Sequence, residues 1–171
     1  DPGWQPPGVS PVHYLDEAGF LDERTLAIHG VQMGPDDLRR LARRGTTIVA
    51  CPRSNARTGA GDPPVAAFYE AGVRVAIGTD SLASTPDLNV FAELAAMRRL
   101  APDVSAASLI DSATRQGARA LGFDDEYGTL QAGRRARMIA VGVPSGVADV
   151  EEYLVSGIAP SAVSWVGSGT S

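Results

Sequence analysis

Three short apolar runs, each followed by a stretch patterned as a helix, govern what this chain can fold into. They are Thr25-Leu26-Ala27-Ile28-His29, Thr46-Thr47-Ile48-Val49-Ala50-Cys51 and Val73-Arg74-Val75-Ala76-Ile77-Gly78. Strands that read as near-continuous apolar runs are covered on both faces, which is the habit of parallel sheets. Their starts are separated by about 21 and 27 residues, the spacing of βα units. Pro35 to Arg44 is predicted as a helix with Asp36 and Asp37 in its first turn, arginines in its last and Gly45 as its stop; this charge order complements the helix dipole. Pro64 to Ala71 and Asp87 to Leu100 read as the next two helices. The fold class is α/β.

The flanks are read by their punctuation. Residues 1–11, with Trp4 among prolines and glycines, form an extended lead-in. Ser10-Pro11 opens a short helix that ends at Gly19, with Ser as N-cap and Pro in the first helical position. Residues 52–62 read as a long polar loop bearing glycines, and residues 105–121 as one helix stopped by Gly122. Beyond that point short strands alternate with glycine turns. Tyr127-Gly128-Thr129-Leu130 leads to the strand Met138 to Val141, then come Val155-Ser156-Gly157 and a last strand near residues 162–166. The division expected is a βα part over 1–122 and a small β appendage over 123–171, with residues 167–171 frayed.

Composition removes several kinds of chemistry. All fifteen cations are Arg, so a Schiff-base lysine, a P-loop lysine and a Ser-Lys dyad are excluded. A net charge of −5 is at odds with a broad nucleic-acid surface. No apolar run reaches the roughly 18 residues of a membrane span. The lone Cys51 rules out an internal disulfide and suits a reducing compartment; with no signal-peptide pattern at Asp1-Pro2-Gly3, a cytoplasmic location is expected.

Functional groups in parallel α/β folds gather at the carboxyl ends of strands. His29 ends the first strand; the other histidine, His13, lies inside a helix. Asp80, in Gly78-Thr79-Asp80-Ser81, follows the third strand. An aspartate there also caps turns through backbone amides, which is the plainer reading. The two residues nevertheless open on the same face of the sheet, where an imidazole and a carboxylate can share a divalent metal or a polarised water. Cys51 is the other candidate nucleophile, but cysteine is usually buried, and Pro52 offers no backbone amide for an oxyanion. Arg53, Ser54 and Asn55 supply donors for a polar substrate, or else form a solvated loop. The arginines at 39, 40, 43 and 44 are a solvated helix end.

Leu26-Ala27-Ile28-His29-Gly30-Val31, Cys51-Pro52-Arg53-Ser54-Asn55 and Gly78-Thr79-Asp80-Ser81 resemble the amidohydrolase superfamily, in the branch of chlorohydrolases, cytosine deaminases and adenosylhomocysteine deaminase-like enzymes. Ala113 to Gly122 and Gly128 to Gly133 resemble the tail of that family. The resemblance implies the carboxyl-terminal part of a metal-dependent (β/α)8 barrel, strands 6–8, with a small β-sandwich segment. It makes Asp80 a metal ligand and proton shuttle. His29 becomes the sixth-strand histidine that holds the attacking water or touches the metal. Arg53, Ser54, Asn55 and Ser81 are placed at the substrate. The cofactor implied is one divalent ion, zinc or alternatively iron or manganese. The reaction implied is hydrolysis of a non-peptide carbon–nitrogen bond, with adenosylhomocysteine, methylthioadenosine and aminofutalosine-type amines as candidate substrates.

The same resemblance exposes what is lacking. The family's first-strand His-x-His and fifth-strand histidine have no counterpart here, and Arg137 stands where an acid is usual. A closed barrel takes roughly 250 residues. The expected partners are therefore a small-molecule substrate and the amino-terminal part of the same enzyme, in the same or a separate chain, without which the piece is inactive. Nucleic acid and membrane are not expected, and homo-oligomerisation is open. The competing readings are a non-catalytic α/β binding or assembly module and, with neither Lys nor a glycine-rich loop after a strand to support it, a nucleotide-binding domain.

Overall fold

The computed structural model describes residue 3 and residues 5–166. Trp4 of the lead-in and the frayed end expected over 167–171 lie outside the described residues. In chain order the first elements are α1 (Pro11–Glu17), β1 (Leu26–Ile28), α2 (Pro35–Arg44), β2 (Thr47–Ala50), α3 (Pro52–Thr58), α4 (Val65–Glu70) and β3 (Arg74–Ile77). Then follow α5 (Val90–Leu100), α6 (Ala106–Ala113), α7 (Arg115–Ala120), β4 (Met138–Val141), α8 (Val150–Leu154) and β5 (Val163–Val166).

β1, β2 and β3 form a parallel sheet in sequence order, with Ile28 opposite Val49 and Ala50 opposite Ile77. The apolar runs are short because each needs only the few residues that cross the layer. Leu38 and Leu41 of α2, Ile48 of β2, Phe68 of α4, Met97 of α5 and Leu109 of α6 are almost wholly buried in one core. Each such side chain contributes about 1.5–3 kcal/mol relative to exposure. α1 is fastened to α2 by Asp16, whose carboxylate accepts from Arg40, Arg43 and Arg44 at 2.8, 2.7 and 2.5 Å. The expected caps are present: the Ser10 hydroxyl accepts from the His13 N–H, and Gly45 takes φ 69° to stop α2.

Three elements differ from the sequence reading. Residues 52–58 are a helix, not a loop; Pro52 occupies the first helical position and Gly59 closes it at φ 71°. Proline inside the start and glycine just past the end are the usual brackets of a helix, and its polar interior hid them. The single helix expected over residues 105–121 is broken at Thr114 (φ −123°, ψ −90°), whose hydroxyl donates to the Ile110 carbonyl at 2.8 Å. The break is packed from outside: a Cβ on Gly128, at φ 93°, would come within 2.9 Å of Arg115 Cα and of Ala118 Cβ. The third difference is α8, capped by Asp149 through the Glu152 N–H at 3.0 Å.

β4 and β5 pair antiparallel, Met138 with Val166 and Val141 with Val163. α8 packs on α6, and the Asn89 amide donates to the Ile158 carbonyl at 3.0 Å, tying the late chain to the start of α5. No helix among the described residues is long and apolar enough to cross a membrane.

Candidate active site

Among the described residues only two that are not glycine have positive φ: His29 at 72° and Asp80 at 62°. Each stands at the carboxyl end of a strand, His29 after β1 and Asp80 after β3, with β2 between them. The ladder runs up to both turns. His29 donates its N–H to the Val49 carbonyl at 2.9 Å, and Gly78 donates to Ala50 at 2.9 Å. His and Asp enter the left-handed region more readily than most residues, but still at a cost on the order of 1 kcal/mol. Such outliers point to function when the surrounding structure holds them in place.

Asp80 is so held. The Ser54 hydroxyl donates to its Oδ2 at 2.6 Å and the Ser84 hydroxyl to the same oxygen at 2.9 Å. These two bonds, with the nearby His29 and the Ser81 N–H, hold the carboxyl below the usual carboxylate range against the opposing effect of burial. It is ionised at neutral pH. Beneath it lies Cys51, whose thiol is pushed up to about 11, first by burial and then by the charges of Asp80 and Glu93. Burial and the neighbouring charges disfavour the thiolate that a nucleophile needs.

A cleft of about 460 Å3 opens at this end of the sheet, and His29, Ser54, Asn55 and Asp80 line it together with Ile28 and Met33. Two polar atoms here are buried without a hydrogen-bond partner, His29 Nδ1 and Asn55 Nδ2. The sequence expectation thus places four residues around one space. Arg53 is elsewhere: its guanidinium donates to Asp87 Oδ1 at 2.8 Å and to the Asn89 carbonyl at 3.2 Å, away from the cleft lining. Ser81 is exposed at the start of the following loop, where its carbonyl accepts from the Ser84 and Thr85 N–H groups at 2.9 and 3.0 Å. His13 pairs with Glu17 on α1 at 2.9 Å.

Two residues of the site had not been singled out. Ser84 is one, and nothing in a run of small polar residues marks it. The other is Glu93 of α5, fully buried, whose Oε2 accepts the Arg53 N–H at 3.1 Å. Burial pushes its carboxyl up while that N–H and the Arg53 charge oppose the shift. Its position on the inner face of an amphipathic helix was the available signal.

An imidazole and an ionised carboxylate are donor types that suit zinc and related divalent ions, and an unpartnered ring nitrogen on His29 is consistent with a partner outside this set. Catalytic zinc takes three protein ligands. Among the described residues no group of three His, Cys, Asp or Glu side chains comes together. The donors fit such an ion in kind and make up part of a ligand set in number.

Known proteins resemble this chain in sequence and in fold. A 5-methylthioadenosine/S-adenosylhomocysteine deaminase from Desulforudis audaxviator is 40% identical over 139 residues, covering 77% of this chain and 32% of that protein. An aminodeoxyfutalosine deaminase from Deinococcus radiodurans is 44% identical over 116 residues, covering 68% of this chain and 28% of that protein. Among solved structures, a zinc-bound adenosine deaminase from Xanthomonas campestris superposes with a TM-score of 0.85 at 33% identity, over 92% of this chain and 38% of that one. An atrazine chlorohydrolase variant from Arthrobacter aurescens, complexed with zinc and atraton, gives 0.81 at 27% identity, over 95% and 41%. The chain spans about a third of the length of the curated relatives it matches. The model of the amidohydrolase family matches residues 8–162, nearly all of the described fold. That match, with relatives about 40% identical over more than two thirds of its length, shows that this chain belongs to the amidohydrolase family.

Proposed function

We propose that this chain is the carboxyl-terminal part of a cytoplasmic amidohydrolase that releases ammonia from a nucleoside-like or heterocyclic amine. The observation that carries the reading is the pair His29 and Asp80. Both are held at positive φ at the same end of one sheet, on the two strands that flank β2, and two hydroxyls bond to the ionised Asp80. β1, β2 and β3 are read as strands 6–8 of a (β/α)8 barrel, residues 1–122 as that barrel portion and 123–171 as a β-sandwich segment. The amino-terminal part supplies the other strands and ligands, and without it the chain is inactive. Relatives named as methylthioadenosine, adenosylhomocysteine and aminodeoxyfutalosine deaminases support the substrate class.

Asp80 and His29 would hold one divalent ion, zinc in preference to iron or manganese, jointly with ligands from the amino-terminal part. What such an ion supplies when bound is a water whose pKa is brought down towards about 7. The chain's own residues do the rest. Asp80 accepts a proton from the attacking water at Oδ1, the oxygen that the two hydroxyls do not hold, and passes it to the leaving nitrogen. Ser54 and Ser84 keep the carboxylate aimed through that transfer. His29 orients the attacking water, and Asn55, on the cleft wall, faces the substrate with Ser81 at its rim.

The test is ammonia release from methylthioadenosine, adenosylhomocysteine and aminodeoxyfutalosine by the longest natural polypeptide that contains residues 1–171. Asp80→Asn keeps the shape of the side chain and removes its charge, so kcat is expected to fall about 10²–10⁴-fold with bound zinc reduced. Wild-type turnover and zinc content in that variant would overturn the assignment. A non-catalytic module is the second reading, favoured by the absence of a three-ligand cluster among the described residues. No turnover by that polypeptide on any of the three amines, with no metal bound, would establish it.

A further inference from the structure

We infer that Arg53 is a positioning residue: with Glu93 it clamps the segment from Asp80 to Asn89 against α3 and so fixes the Asp80 carboxylate. The inference rests on the functional reading above for its catalytic consequence, and on geometry alone for the clamp.

Three observations converge. First, neighbouring residues on α3 hold opposite ends of one segment. Ser54 donates to Asp80 at the beginning, and Arg53 donates to Asp87 and to the Asn89 carbonyl at the end. Second, that segment has little apolar burial to hold it. Leu82 and Leu88 are 65% and 56% exposed, and the buried side chains within it are the hydroxyl residues Ser84 and Thr85. Most of its internal bonds gather at the first half, onto the Ser81 carbonyl and the Asp80 carboxylate, and in the second half the Asn89 N–H donates to Asp87 Oδ1 at 3.0 Å. Polar ties, not apolar burial, therefore set where its second half lies: those from α3 to Asp87 and Asn89, with the Asn89 amide bond to the Ile158 carbonyl beside them.

Third, α3 is itself anchored by the element that the segment leads into. Cys51, its N-cap, makes no side-chain capping bond. The capping acceptor comes instead from Glu93 on α5, which takes the Arg53 N–H at 3.1 Å and has the Arg53 guanidinium 3.6 Å from its other oxygen. A fully buried carboxylate is costly unless its charge is answered; Arg53, itself only 15% exposed, is the cation beside it, and Oε1 is left without a hydrogen-bond partner. β3, the segment, α5, Glu93, α3 and Ser54 thus close a ring on Asp80. Removing the Arg53 guanidinium releases Asp87 and the Asn89 carbonyl, loosens the segment that Ser54 holds at its other end, and leaves a left-handed Asp80 with fewer of the surroundings that over-determine it. A displacement of about 1 Å in a reacting group can reduce rate by about a hundredfold.

The experiment is a double-mutant cycle with Arg53→Met and Asp87→Asn in the longest natural polypeptide containing residues 1–171, read by amide exchange over residues 81–89 and by steady-state kinetics. Either single change is expected to speed exchange in that segment about fivefold, as loss of a tie worth about 1 kcal/mol does. The double variant should be no faster than the singles. On any deaminated amine, kcat falls while KM stays within about twofold, because Arg53 does not touch substrate. Glu93→Gln keeps the acceptor for the Arg53 N–H and should retain most of the protection. Unchanged exchange in both single variants overturns the clamp whatever the activity. A rise in KM for Arg53→Met, with kcat and Asp87→Asn unaffected, overturns it in favour of substrate contact. Absence of turnover in the wild-type polypeptide tells against the deaminase reading alone, since exchange still decides the clamp.

Discussion

Asp16 shows how much one carboxylate can organise. Nearly all of it is buried and three guanidinium groups of α2 converge on it. Its carboxyl is held below the usual range, first by the bonds from Arg44 and Arg40 and then by the charges of Arg44 and Arg43. A depressed folded pKa adds stability above the unfolded value, about 3.9 for Asp, and loses it as pH falls through the folded value. Asp16→Asn is therefore expected to be less stable than the parent at pH 7, with the gap narrowing below about pH 4. Urea melts at pH 7 and pH 3 measure it; an equal gap at both would refute the ion-pair account. Asp80 has the same sign of shift through hydroxyls instead of arginines, which leaves its charge free to act on something else.

At the scale of elements, the break between α6 and α7 is where the helical part meets the turn that leads to the small sheet. Gly128 fits against it with no room for a methyl group and with a φ that L residues avoid. Gly128→Ala should cost about 1–3 kcal/mol, seen as a lower urea midpoint; an unchanged midpoint would mean that the contact yields freely. The residues around Thr114 read as one continuous helix, and the Gly128 contact that packs against the break lies more than ten residues downstream. Elements with local causes were legible: α2 carries its own dipole-matched charges and glycine stop, and the strands carry their own apolar runs. α3 and α8 carried local signals too, Pro52 with Gly59 and Asp149 with Glu152, but their polar interiors resemble loops. The site divides the same way. His29 and Asp80 could be found because strand ends are where chemistry collects. The partnership of Glu93 with Arg53 spans 40 residues and exists only once α3 and α5 are packed together.

For the whole molecule, the open surfaces matter as much as the packed ones. Among the described residues β1 pairs on one side only, and Ile28 on it is 48% exposed. Ile139 and Trp165 of the two-stranded sheet are also exposed. An unpaired strand edge and bare apolar faces favour association, and a two-stranded sheet is marginal alone. Residues 1–171 expressed alone are expected to bind zinc weakly, well below one per chain, whereas near-stoichiometric zinc accompanies a further roughly 200–250 residues, joined or separate. Denatured intact mass with metal analysis of the native sample decides between them. One zinc held by residues 1–171 alone would show that the ligand set inferred here is incomplete.

The left-handed backbones of His29 and Asp80 set two kinds of selection against each other. Glycine adopts those angles without strain, so drift governed only by the need to fold would admit it at both positions. Selection for turnover would hold an imidazole and a carboxylate there despite the local cost. In a lineage that lost the reaction but kept the fold, positions 29 and 80 should be among the first to change, while Gly30, at φ 67° with the Phe68 ring 3.0 Å from where a Cβ would stand, and Gly128, whose neighbours leave no room for one, should persist.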